Sequence, residues 1–140
     1  MVESGSSRIE RTPMPDNDTD LSVSRRRGLA RAYVGHSSAR DLARIEPMFD
    51  PTATYRSTGV GDFSGRAAIV EMMAGFFDRF PDVTWQVESY RPLGADGVEF
   101  NFVMRATGRD GGEAIERPGV ERLFFTPGGL IRAVEVDTNQ

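Results

Sequence analysis

The chain of 140 residues has no cysteine, no lysine and a single histidine, His36. Without cysteine there is neither a disulfide nor a thiolate metal site. One imidazole does not supply the ligands of a zinc centre of the usual kind, so no metal is expected. All 17 basic residues are arginine, and 21 acids outweigh them to a net charge of −4. That balance leaves no electrostatic footprint for nucleic acid. No apolar run approaches the length of a membrane span. The first 21 residues are polar and acidic, unlike a secretory signal. The expectation is a cytoplasmic protein with no membrane or nucleic-acid partner and no cofactor.

What is present points to one domain. Residues 1–20 are rich in Ser, Pro, Asp and Asn and carry almost no large apolar side chain. Such a stretch cannot offset its own ordering entropy and is expected to be a loosely attached tail on a domain spanning 21–140. The strongest periodic signal lies at 66–80. There Ile69, Met72, Met73, Phe76, Phe77 and Phe80 recur at helical spacing, with Ser64 as the expected cap and Pro81 as the stop. A first helix is expected from 21–24 to about His36, with Leu29, Ala32, Tyr33 and His36 on one side and Arg25, Arg26 and Arg27 on a solvated face. Ser38 to Asp41 reads as a capping box for a second helix with Leu42, Ile45, Met48 and Phe49 inward, closed by Asp50-Pro51.

Beyond Pro81 the period changes from 3.6 to two. Residues 83–91 place Val83, Trp85 and Val87 on one face. Residues 98–106 alternate most clearly, with Val98, Phe100, Phe102, Met104 and Ala106 on one side and Glu99, Asn101 and Arg105 on the other. Asp96-Gly97 is the expected hairpin turn, Pro118-Gly119 an expected bulge in a strand at 114–126, and Pro127-Gly128-Gly129 the turn into a last strand at 130–137. A shorter strand is expected at 53–58, before a glycine loop containing Asp62. Helices first and an antiparallel sheet afterwards make an α+β fold, with the helices on one sheet face.

One carboxyl group stands out on this pattern. Glu121 shares a strand face with Leu123 and Phe125, the face expected to point inward. A buried carboxyl must be paired or protonated. Two readings stay open: a site residue, or an acid neutralised by an arginine such as Arg122 or turned outward by the bulge. Tyr33 is likewise either a donor to a ligand or a core tyrosine. His36, at a helix end, has the intrinsic pKa for proton transfer, but capping or solvent is the commoner fate of such a residue.

The order helix, helix, short strand, long helix ending in Phe80-Pro81-Asp82, then sheet, resembles the SnoaL-like and ketosteroid isomerase-like proteins of the nuclear-transport-factor-two-like superfamily. Tyr33, the run from Met48-Phe49-Asp50 to Ala53-Thr54-Tyr55, Phe124-Phe125 and Gly129-Leu130-Ile131 carry the rest of the resemblance, over about 25–137. It implies a cystatin-like cone of three N-terminal helices on a curved antiparallel sheet. The mouth of such a cone holds a small hydrophobic molecule, and many members dimerise through the sheet. On the outer face here, Arg122, Phe124, Arg132 and Val134 would suit a homodimer.

By the same resemblance Tyr33 falls at the oxyanion-hole tyrosine and Glu121 at the protonated acid, an aspartate in that family. Ser57 falls at the catalytic base, a task that serine alone cannot perform. Asp137 is the nearest match to the late aspartate of SnoaL-resembling polyketide cyclases, with Glu135 two residues before it on the same face. Strand alternation, however, favours Val134 and Val136 as the inward pair. Epoxide hydrolases of the superfamily use Arg-x-Asp on a middle strand. The matching residues here, Glu99-Phe100-Asn101, set that chemistry aside. The expected pocket joins Tyr33 and Glu121 to Ser57, Trp85, Phe100, Phe102, Met104 and Phe76, with several of Ile69, Met73 and Phe77. Two functions follow: an isomerase or cyclase stabilising the enolate of a hydrophobic carbonyl compound, or a non-catalytic ligand-binding or dimerisation module on the same fold.

Overall fold

The computed structural model describes residues 21–108 and 111–138, so the expected tail at 1–20 lies outside the described residues. Helix α1 is Val23–Ser38 and α2 is Leu42–Ile45, followed by a 3₁₀ turn at Glu46–Met48. Strands β1 (Phe49–Ser57) and β2 (Gly61–Ser64) precede the long helix α3 (Arg66–Arg79). Then come β3 (Thr84–Gln86), β4 (Arg91–Leu93), β5 (Gly97–Ala106), β6 (Ile115–Phe125) and β7 (Ile131–Thr138). The sheet runs β2-β1-β7-β6-β5-β3, with β4 also paired to β5.

The helices cover one face of this seven-stranded sheet, as an α+β arrangement requires. One pairing departs from the expected antiparallel pattern. β1 runs parallel to β7, bringing Tyr55 beside Val134 and Ser57 beside Val136. α3 lies between these strands in the chain and crosses over the sheet, which is what a parallel pair needs.

Alternation settles the inner face. Along β5, Val98, Phe100, Phe102, Met104 and Ala106 are buried; along β6 the buried set is Gly119, Glu121, Leu123 and Phe125. On α3 the stripe is graded. Ile69, Met73 and Phe77 are buried against the sheet, whereas Met72, Phe76 and Phe80 are half-buried.

Several local expectations give way to longer-range bonds. Arg26 is buried rather than on a solvated face; its Nη1 donates to Gly97 O at 2.6 Å and its Nε to Leu21 O at 3.2 Å. Arg27 Nε likewise donates to Tyr90 O at 2.9 Å. The capping box does not form, because the Ser38 hydroxyl accepts from Trp85 N at 2.9 Å and Asp41 caps α2 instead. α2 then ends early, since Pro47 offers no N–H to continue it, and Phe49 already begins β1.

Ser64 closes β2, and Gly65, at φ +92°, occupies the N-cap of α3 without a side-chain bond. Asp96-Gly97 is not the hairpin turn: Gly94 supplies the positive φ, and the Asp96 carboxylate is held by Arg132 at 2.6 Å. The stretch 83–91 is not one strand but separates into β3 and β4. Pro118-Gly119 forms no bulge, since the β5–β6 register is continuous through it, and the shift falls at Phe124/Phe125 against β7. Gly119 is needed for another reason: a Cβ there would lie 2.5 Å from the Phe102 ring. Val134 is fully buried, so it belongs to the core and not to the outer face.

Candidate functional site

A cavity of about 190 Å³ lies between α3, α1 and the inner sheet face. Its wall is mostly apolar. Phe76 anchors an aromatic cluster, 5.1 Å from Phe80 and 6.1 Å from Trp85 between ring centroids, with Phe77 6.4 Å from Trp85. Phe102 and Met104 of β5 complete this side. The helical stripe and the strand alternation thus meet on one surface.

Set into that wall are Glu121 from β6, Tyr33 from α1, and Tyr55 and Ser57 from β1. Glu121 is 6% exposed, and its carboxyl has no hydrogen bond or ion pair among the described residues. Arg122, the neighbour that could have neutralised it, points to the opposite face and bonds Glu99 at 2.9 Å. Burial therefore pushes the Glu121 carboxyl up to about 8. Burial also raises Tyr33 and Tyr55 well above the usual phenol range, and the nearby Glu121 charge adds to both. Near neutrality this corner presents three protonated oxygens to an apolar space. Tyr33 is fixed edge-on to Phe49, with ring centroids 5.9 Å apart. Ser57 Oγ accepts from the N–H groups of Gly59 and Val60, each at 3.2 Å, and so ties the β1–β2 turn while lining the cavity.

Of the residues expected in the pocket, Tyr33, Glu121, Ser57, Trp85, Phe102, Met104 and Phe76 line this cavity, as do Met73 and Phe77. Phe100 does not: it is fully buried beneath Tyr90, at 5.0 Å between centroids, in the solid core. Ile69, also fully buried, is core as well. Asp137 does not reach it either. It is exposed on the outer face, 3.4 Å from Arg122 Nη1, and Glu135 is half-buried on that side. Glu99 and Asn101 also face outward, where Arg91 bonds both. Asp62 is exposed on β2.

The residues missed were Tyr55, Arg79 and Arg117. Alternation could have found Tyr55, two residues before Ser57. The expected bulge at Pro118 hid Arg117, which shares its strand face with Glu121. Among the described residues, no group of three His, Asp or Glu side chains could hold a metal ion, and no helix is long and apolar enough to cross a membrane.

A SnoaL-like domain profile matches residues 30–134, three quarters of the chain. The chain belongs to the SnoaL-like family. No curated protein gives a sequence match. Among solved structures, the SnoaL-like chain aligns with SalBIII, an epoxide hydrolase/cyclase-like enzyme in pyran ring formation of the polyether salinomycin. That alignment has a TM-score of 0.75 and 20% identity, covering 84% of this chain and 92% of that one. AclR from Streptomyces galilaeus, provisionally a hydroxylase, aligns at TM-score 0.71 and 25% identity, covering 84% and 91%. A protein of ketosteroid isomerase-like fold from Catenulispora acidiphila, bound to trimethylamine, aligns at 0.69 and 16%, covering 77% and 82%. These likenesses make the fold the cystatin-like α+β cone.

Proposed function

We propose that this SnoaL-like chain binds a small hydrophobic carbonyl compound in the Glu121 cavity and stabilises its enolate. Neutral Glu121 and the Tyr33 hydroxyl would donate to the developing oxyanion while the α-proton passes to a solvent water, in an isomerase- or cyclase-type step. The observation that carries this reading is Glu121 itself: a carboxyl on the wall of an apolar cavity with no partner among the described residues. Protonated, it is a strong donor in a space where a donor is worth most.

The second reading, a ligand-binding module without catalysis, draws on Ser57. The family's base position holds a hydroxyl that two backbone N–H groups already engage. A ligand-binding assay and an exchange assay together separate the two. Para-propylphenol should bind wild type better than Glu121→Leu, and Tyr33→Phe should weaken binding again, by about 1–3 kcal/mol for each buried donor lost. Equal affinity across the three proteins removes the donor role. In deuterated water an enolisable ketone such as β-tetralone should gain deuterium at its α-carbon with wild type and much less with Glu121→Gln. Binding without exchange favours the non-catalytic module.

The proposal keeps a homodimer through the outer face of β6 and β7. Phe124 sits there half-buried, with Arg132 5.4 Å above its ring. A monomer in light scattering at micromolar concentration would remove that part.

A further inference from the structure

Two cations stand at the mouth of the Glu121 cavity: Arg79, the last residue of α3, and Arg117 on β6. Both are exposed, and neither is ion-paired to an acid among the described residues. The other arginines of β4–β7 are matched: Arg91 and Arg122 with Glu99, Arg105 with Glu116, Arg132 with Asp96. The mouth is thus a place where positive charge has no counter-ion among the described residues. Glu121 is the only acid lining the cavity among the described residues, and unlike the two arginines it is buried.

The spacing of these groups is readable from the strand. Arg117 and Glu121 are four residues apart on one face of β6, on the order of 13 Å of strand rise. The wall between them is formed by Phe102, Met104, Phe76 and Trp85. Arg79 is steadied over the Phe80 ring, its guanidinium carbon 5.2 Å from the centroid.

The geometry points to a ligand with two polar ends: a carboxylate held between Arg79 and Arg117, and a carbonyl or phenol oxygen placed at Glu121 and Tyr33. Only the inner end of this assignment rests on the function proposed above. The orientation follows from charge. A carboxylate driven inward would meet the Glu121 carboxyl in a dry space, whereas at the mouth it meets two guanidinium groups that match its geometry. A monoanion fits better than a phosphate. Arg79 sits at the C-terminal end of α3, where the helix dipole is negative and disfavours higher anionic charge.

Calorimetric titration with para-coumarate and its methyl ester tests the mouth, and para-propylphenol tests the inner end separately. Para-coumarate should bind about tenfold more tightly than the ester, as two charge-assisted contacts at a half-wet rim allow. The preference should weaken as salt is raised. In the double variant Arg79→Gln with Arg117→Gln the preference should vanish while the ester binds as before. Arg117→Lys alone, which keeps the charge, should retain most of it. An ester that binds as well as the acid, a preference that survives in the double variant, or no binding of either compound would overturn the assignment. Para-propylphenol affinity unchanged by Glu121→Leu would instead overturn the enolate reading and leave the acid–ester ratio to be judged by itself.

Discussion

Glu121 and Glu99 sit on adjacent strands one register step apart, Glu121 opposite Phe100 and Glu99 opposite Arg122, and they have opposite fates. Glu121 faces inward, and burial holds its proton up to about 8. Glu99 faces outward, where its bond to Arg122 keeps its carboxyl below the usual range. The two side chains are chemically identical. A single step along a strand decides which becomes a neutral donor and which a surface anion, because the pleat sends neighbours to opposite solvents.

The largest expected effect is on stability against pH. In the unfolded chain Glu121 titrates near its ordinary 4.5, and in the fold near 8. Between those values the folded state holds the extra proton, so stability is full below about 4.5 and falls as pH rises towards 8. The total is on the order of 5 kcal/mol from the size of the shift. Urea midpoints between mildly acidic and mildly alkaline pH should show the decline, and Glu121→Gln should flatten it. Glu99 acts with the opposite sign: its contribution is present above the ordinary carboxylate range and is lost as pH falls below it. A wild-type midpoint that rises through this window would break the comparison.

Gly119→Ala should have the next largest effect. The new Cβ would press on the Phe102 ring at 2.5 Å and on Asp137 O at 2.8 Å. Overpacking of this kind costs about 1–3 kcal/mol, measurable by denaturant unfolding. If Phe102 yields and water enters, the pH window of Glu121 should also narrow from its upper end.

Tyr55→Phe removes one hydroxyl from the Glu121 corner and should lower para-propylphenol affinity by about 1 kcal/mol, with the fold intact. Smallest of all, Arg122→Met should cost about 1 kcal/mol or less, because this ion network is partly exposed. That loss should shrink at high salt and leave ligand binding unchanged. An effect on binding would mean that the two faces communicate.

Much of the site was legible because it lies on regular elements. The two-residue period placed Glu121, Phe102 and Met104 on one face, and the helical stripe supplied Phe76 and Phe77. Phe100 obeys the same alternation yet lies outside the cavity, because the inner face of β5 is longer than the cavity and Tyr90 covers that part. The resemblance points to Asp137 against its own strand alternation, and in the structure Asp137 follows the alternation to the outer face. Arg117 is not legible in the sequence because a proline-glycine pair reads as a bulge, whereas the glycine serves the Phe102 ring.

The amino-acid order alone determined which side chains share a face, where the long helix ends and that Glu121 shares its strand face with Leu123 and Phe125. These follow from backbone geometry and from proline's missing N–H, which act over a few residues. The tertiary structure decided the rest. Arg26 is buried because Gly97 O, 71 residues away, accepts its proton. β1 runs parallel to β7 because α3 carries the chain across the sheet. Glu121 keeps its proton because separate elements, α1, α3, β1, β5 and β7, wall the cavity in which it is buried, and no arginine among the described residues bonds its carboxyl. No local pattern encodes such an enclosure, since desolvation is a property of everything packed around a group and not of its neighbours in sequence.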